Sequence, residues 1–215
     1  MNKEKYIISS CSISPAGVRK DGSLLYDRDD RPLGDFLLSL YTHSGMDYPK
    51  FYKMDRLSKL GWLASEILLK DATWIKELLP EEVGIVLSNA HASLDTDIKY
   101  LATTKEFPSP AVFVYTLPNI MIGEISIRNN FKGENGFFIF DRFDAGFLEQ
   151  YVSCLIDEGH LRSCICGWVD VGEEDYRAAL FLVAGDPPDS AAPPGHPGLL
   201  FTKTNMDKIF MEDTL

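Results

Sequence analysis

Apolar residues recur along the chain in three different rhythms. From residue 55 onward, Leu57, Leu60, Leu63, Ile67 and Leu68 fall at intervals of three and four, which predicts an amphipathic helix. Residues 83–88 (VGIVLS), 136–140 (GFFIF), 163–171 (SCICGWVDV) and 178–184 (AALFLVA) are short, bounded apolar runs, the pattern of buried strands. Residues 6–13 alternate loosely and predict a first strand that stops at Ser14-Pro15. The stretch 117–130 is different, because Ile120, Met121, Ile122, Ile125 and Ile127 leave it apolar on nearly all sides behind Pro118. That pattern predicts a helix over 118–130 buried all round, with Gly123 admitting a neighbouring backbone. Residues 132–136 (KGENG) break the rhythm before the strand at 136–140. Asp144 is then placed to cap a helix with Leu148, Tyr151, Val152 and Leu155 on one face.

Weaker signals complete the order. Residues 35–41 suit a short helix, 72–79 another that stops at Pro80, and Ser93 can cap a third running to about Thr103. Residues 21–32 are polar and rich in turn formers, hence a loop. The turn at 172–176 is too short for a crossover helix, so the last two strands form a hairpin. The order β, α, β, α, α, β, α, β, β implies an α/β domain over residues 1–185. Its sheet is mixed and five-stranded, mostly parallel with a C-terminal hairpin, and covered by helices. Residues 186–198 (DPPDSAAPPGHPG) predict an extended excursion, so that 186–215 is that excursion and an acidic C-terminal tail.

Charge narrows the partners. Against 21 Lys and Arg the 215 residues carry 32 Asp and Glu, a net −11, which repels nucleic acid and anionic membranes. No apolar run is long enough to span a bilayer, and the N-terminus lacks the pattern of a signal peptide. Four irregularly spaced cysteines suit reduced thiols and a cytoplasmic setting. Cys164 and Cys166 alternate on a strand without a second Cys/His pair, a poor metal site, and Gly133-x-x-Gly136 lacks the Lys-Ser/Thr of a phosphate loop. Neither metal nor cofactor is predicted. Cys154 is expected on the packed side of its helix as an inert core thiol; Asp95, Asp97 and Lys99 are expected on a solvated helix side. His43, His91, His160 and His196 are scattered. A strand-to-helix corner is where acyl-transfer folds hold a nucleophile beside free backbone N–H groups. Here the corner reads Asp141-Arg142-Phe143-Asp144, with no Cys and no Ser. Asp141 and Arg142 are either a substituted active site or a capped corner held by local charge pairing, and charged residues are common enough at such turns to favour the second. Phe137, Phe138, Phe140 and Phe143 are expected in the core by default, yet they are more aromatics than one strand face can hide, which suggests that some of them contact another chain.

Several phrases resemble the β-ketoacyl synthases in a shared order. Tyr52 to Arg56, ending in Met54-Asp55-Arg56, resembles the phrase that opens the first long helix of those enzymes. Ser109-Pro110-x-x-Phe113 and Leu117-Pro118-Asn119-x-x-x-Gly123-x-Ile125 resemble a later stretch. Lys132-Gly133 resembles the phrase before their nucleophile strand, with Glu134 in place of Pro, and Ile156-x-x-Gly159 with Cys166-Gly167 resembles the segment after it. The phrases keep their order over about 120 residues, and the resemblance covers roughly Tyr6 to Ala184. It implies half of a thiolase-like fold, the half that carries the cysteine nucleophile. The other half would supply two basic residues and cover much of this one. The family's cysteine should fall at Asp141 or Arg142, so the resemblance implies a truncated, non-catalytic subunit. By analogy with chain-length factors, it would pair with a complete β-ketoacyl synthase in fatty-acid or polyketide-type synthesis, with aryl-polyene pathways the most specific context. Pairing is expected through Phe137, Phe138, Ile139 and Phe140, with acyl carrier protein met only indirectly and a homodimer as the outcome without a partner. The alternatives are an acyl-thioester-binding or acyl-transfer enzyme with a rebuilt site, and a homodimeric ligand-binding module.

Overall fold

The computed structural model describes residues 4–27, 30–173, 175–185 and 198–212. The expected excursion at 186–198 lies almost wholly outside them. Among the described residues eight strands form one sheet: β1 (Tyr6–Ser14), β2 (Gly17–Lys20), β3 (Ser23–Tyr26), β4 (Val83–Asn89), β5 (Asn135–Ile139), β6 (Ser163–Val171), β7 (Tyr176–Ala184) and β8 (Leu199–Leu200). The spatial order is β3-β2-β1-β7-β6-β4-β5, with β8 added to the start of β1. β4 runs parallel to both β5 and β6, and the remaining ladders are antiparallel. The sheet is mixed as expected, but it is larger and less parallel than the five strands read from the sequence. The difference begins at residues 17–26, predicted in large part as loop. Asp21 and Gly22 both take positive φ (51° and 77°), the conformation of a two-residue hairpin turn matched to strand twist.

Helices α1 (Leu33–His43), α2 (Arg56–Leu69), α3 (Leu94–Thr103), α4 (Pro110–Phe113) and α5 (Ile120–Asn129) follow in chain order, then α6 (Ala145–Asp157) and α7 (Lys203–Glu212). α2 is the centre of the larger core. Asp55 caps it by accepting from Ser58 N at 2.9 Å, and Leu57, Leu60, Leu63, Ile67 and Leu68 are all buried, as their spacing predicts. Trp62 of α2 is buried against Tyr41, Tyr48 and Phe51, so the chain covers it with its own aromatics. The smaller core, on the opposite face, holds Leu148 and Val152 of α6, Cys164, Cys166 and Phe181, and Met206 of α7. Residues 199–212, expected as a tail, thus return to the fold, and Phe201 and Met206 are buried.

Two expectations for α5 change. Met121, Ile122 and Ile125 are buried, but Ile127 is 67% exposed, so the helix is not enclosed. A Cβ on Gly123 would meet nothing within 4 Å, whereas one on Gly61 would lie 2.0 Å from Met121 Sδ. The close packing of α2 on α5 depends on Gly61, not Gly123.

Candidate functional site: a substituted corner beside an open sheet edge

β5 reaches its place because Lys132 N donates to Pro80 O and Gly133 N to Val83 O, at 2.7 and 3.1 Å. A side chain at Gly133 would collide with Val83 O at 2.5 Å, so the glycine permits this approach and its amide is spent on the sheet instead of a phosphate. Ile85 N donates to Glu134 O at one end of the β4–β5 ladder, and Phe140 N donates to Asn89 O at the other. In a parallel ladder alternate residues face the partner, so Gly136 and Phe138 bond to β4 while Asn135, Phe137 and Ile139 turn their N–H and C=O groups outward. β5 is the last strand of the sheet, and among the described residues no strand lies on that side.

The strand was expected to be fully buried; its residues are instead half-buried or exposed, with Ile139 at 50%. Phe137 packs toward the α2 core. Phe138 lies on the other face against Phe140, Phe147 and Tyr151, at ring separations of 6.1, 4.7 and 5.2 Å. Phe143 stacks on Phe210 at 4.2 Å. The four phenylalanines therefore all find partners within the chain, and the open feature of the strand is its backbone and Ile139.

Beyond Phe140 the corner exposes Asp141 and Arg142, and neither forms a hydrogen bond or ion pair with another described residue. Asp144 holds the turn, its Oδ1 accepting from Phe147 N at 2.9 Å as the cap of α6. Charge pairing between Asp141 and Arg142 plays no part. The corner has neither a nucleophile nor a free anion cradle, because the cap fills the helix N-terminus with a carboxylate. The thiols of the chain lie elsewhere. Cys11, Cys164 and Cys166 are buried, and burial pushes the thiols of Cys164 and Cys166 far above their ordinary range. Cys154 is exposed, contrary to the expectation of a core thiol; a hydrogen bond with Glu158 and nearby carboxylates push its thiol up. Among the described residues no group of three His, Cys, Asp or Glu could hold a metal, and no helix is long and apolar enough to cross a membrane.

The other motif residues anchor the helices to one another. Asp55 Oδ2 accepts from Thr96 Oγ1 at 2.6 Å, and Arg56 Nε donates to Asp95 Oδ2 at 2.9 Å. Lys99 reaches the same carboxylate at 2.7 Å. Asp95 is therefore an anchor turned toward α2, not a solvated charge. Ser109 caps α4 ahead of Pro110, through a 3.4 Å contact from Val112 N, and Phe113 packs beside Tyr100 while remaining 58% exposed. Pro118 and Asn119 lead into α5, where Asn119 O accepts from Gly123 N. Two constellations escaped the sequence. Asp170 accepts from the backbone N–H groups of Ala90 and His91 and bonds His91 Nδ1 at 2.8 Å. Buried Glu124 accepts from the Tyr115 hydroxyl at 3.1 Å and has Lys50 Nζ 2.7 Å from its other oxygen, off line for a hydrogen bond. Burial and the Glu124 charge together push the Tyr115 phenol up.

The solved structure of the ishigamide ketosynthase/chain length factor superposes on 91% of this chain and 64% of its own, with TM-score 0.59 and 19% identity. The fold is that of the ketosynthases. A type II polyketide-synthase acyl-carrier protein in complex with its ketosynthase, bound to the hexaketide, gives TM-score 0.60 at 17% identity over 86% of this chain and 63% of that one. A ketosynthase in complex with its chain length factor from Xenorhabdus doucetiae gives 0.55 at 14% identity over 81% and 76%. The ketosynthase-fold chain spans less than two thirds of the length of the first two. No protein-family model and no curated protein sequence matches it.

Proposed function

We propose that this chain is a non-catalytic ketosynthase-fold subunit that pairs with a complete ketosynthase in polyketide-type biosynthesis, aryl-polyene assembly being the specific context. The observation that carries the proposal is β5: a strand with one ladder filled and, among the described residues, the other open. It ends in a corner of Asp141 and Arg142, where the resemblance in sequence would put the family's nucleophile. An acyl group cannot be accepted there, because neither side chain forms a thioester. A partner strand can be, because the outward groups of Asn135, Phe137 and Ile139 want a ladder. The likeness in fold to ketosynthase/chain length factor assemblies supports the same reading. The partner would carry the chemistry and the encounter with acyl carrier protein.

Ile139→Pro tests it. The substitution removes an outward N–H and leaves the bonds of Gly136 and Phe138 to β4 untouched. Co-expressed with the complete ketosynthase of its source, the native chain should co-purify with it, and the proline variant should not, at unchanged circular dichroism. The proposal fails if the native chain binds no ketosynthase, or if a covalent acyl adduct forms on it from an acyl-carrier substrate.

A further inference from the structure

The ends of α2 and α5, with residues between 72 and 83, line a cavity of about 540 Å³. That falls within the roughly 300–1,000 Å³ of small-molecule sites. Its apolar wall is Ile75, Leu78, Val83 and Phe131. Phe131 reaches it because Asn130 takes a positive φ of 57° and stops α5, after which Phe131 N donates back to Ser126 O at 3.1 Å. Lys132 N then donates to Pro80 O at 2.7 Å, which fixes two sides of the cavity to each other. Val83 opens β4, and β4 runs parallel to β5. The cavity therefore lies at the opposite end of the sheet from the Asp141-Arg142 corner, about 20 Å away along the seven residues of β4. Its walls hold no Cys, Ser or His, which makes it a place to bind rather than to react.

The polar part of the lining runs against the charge of the chain. Lys70, Lys76 and Arg128 stand there against Glu66 alone, three cations to one carboxylate in a protein of net −11. Lys70, the C-cap of α2, is accounted for by the helix dipole, but Lys76 lies outside both helices. Neither lysine forms a hydrogen bond or ion pair with another described residue. Arg128 is held in place: its Nε donates to Glu66 Oε2 at 3.3 Å, and its guanidinium lies over the rings of Tyr48 and Trp62 at 5.1 and 5.9 Å. Its two terminal nitrogens have no hydrogen-bond partner among the described residues. A planar fork fixed in this way suits an oxyanion, whereas a cationic ligand would meet a surplus of like charge. We infer that the cavity is a binding site for a small organic anion, its apolar body against Ile75, Leu78, Val83 and Phe131 and its carboxylate or phosphate met by Lys70, Lys76 and Arg128. The inference is independent of the pairing proposed above, because no residue of β5 or of the corner lines the cavity.

The probes are octanoate, octyl phosphate, 1-octanol and inorganic phosphate, titrated into the native chain and into Lys70→Glu/Lys76→Glu. Binding is read from the methyl NMR signals of Ile75, Leu78 and Val83. Both lysines are exposed, so circular dichroism of the double variant should match that of the native chain; if it does not, Lys76→Gln alone carries the comparison. At least one octyl anion should shift those methyls and bind about 10-fold or more tighter than octanol and inorganic phosphate. The double variant should weaken it by about 10-fold or more. Preference for one of the two anions supports the inference and names the head group. Octanol binding as tightly as the anions, or anion binding that the variants leave unchanged, overturns it. Inorganic phosphate binding as tightly reduces the site to an adventitious ion only and overturns it as well. Shifts confined to methyls elsewhere in the chain, or no binding at millimolar probe, do the same. Co-purification with a ketosynthase is untouched by any of these results.

Discussion

The ion pair that turns the polar side of α3 inward can be weighed by a double-mutant cycle between Arg56 and Asp95. The guanidinium donates through Nε at 2.9 Å and also through Nη2, a two-point contact on one carboxylate. A bond to a charged group contributes about 1.5–3 kcal/mol when desolvated. The Arg56 side chain is 34% exposed and Asp95 only 11%, so solvent screening reduces the pair to about 1–2 kcal/mol. Asp95→Ala should therefore lower the melting temperature by about 2–8 °C in a domain of this length. The coupling from Asp95→Ala, Arg56→Ala and the double variant, read by urea titration, should reach about 1–2 kcal/mol at pH 7. Acidity supplies a second check. Burial alone would raise the Asp95 carboxyl, but hydrogen bonds from Arg56 and Lys99 outweigh it and hold the group below its ordinary range. A carboxyl with a depressed folded pKa stabilises above its unfolded pKa of about 4 and loses that contribution as pH falls through the folded one. The coupling should accordingly stay level from pH 7 to 5 and shrink below about 4. A coupling under about 0.3 kcal/mol at pH 7, or one undiminished at pH 3, would show that α3 is oriented by something other than this pair.

Two glycines of neighbouring helices should respond with opposite signs. Gly123→Ala enters open space in a helix and should add about 0.5–1 kcal/mol, while Gly61→Ala meets Met121 and should cost about 1–3 kcal/mol in the same denaturation assay. Of the four thiols, one should titrate in the native protein with a disulfide reagent, more slowly than a free thiol, and Cys154→Ala should abolish it. Two or more reacting thiols would show that the cores around Cys164, Cys166 or Cys11 open readily.

Where packing follows a single period, the sequence is legible. The Leu57–Leu68 rhythm and the VGIVLS run reach the structure nearly residue for residue. Cys154 could have been placed correctly from phase alone: two residues beyond buried Val152 is about 200° around a helix, away from the packed side. The hairpin at Asp21-Gly22 also carries its turn signal openly, obscured by the acidic residues that follow. Other features had no local signal. An apolar run such as GFFIF reads alike whether it is central or an edge, because position in a sheet is a long-range property. α3 is plainly amphipathic, yet periodicity does not say which side faces in; that depends on Asp55 and Arg56 some forty residues earlier. His91 and Asp170 meet across 79 residues, and nothing near either predicts the other.

The place of β1 in the sheet bears on how the chain comes into being. β1 can close its ladder with β2 a few residues later, but its other neighbour, β7, ends at Ala184, and β8 arrives only at Leu199. During synthesis the first strand therefore waits with one flank open until residues 176–184 have left the ribosome. Closure over so many residues makes the pairing of β1 with β7 a late and slow step. Until then the nascent protein resembles a hairpin in search of a neighbour, and chaperone dependence in production should track the pairing of β1 with β7.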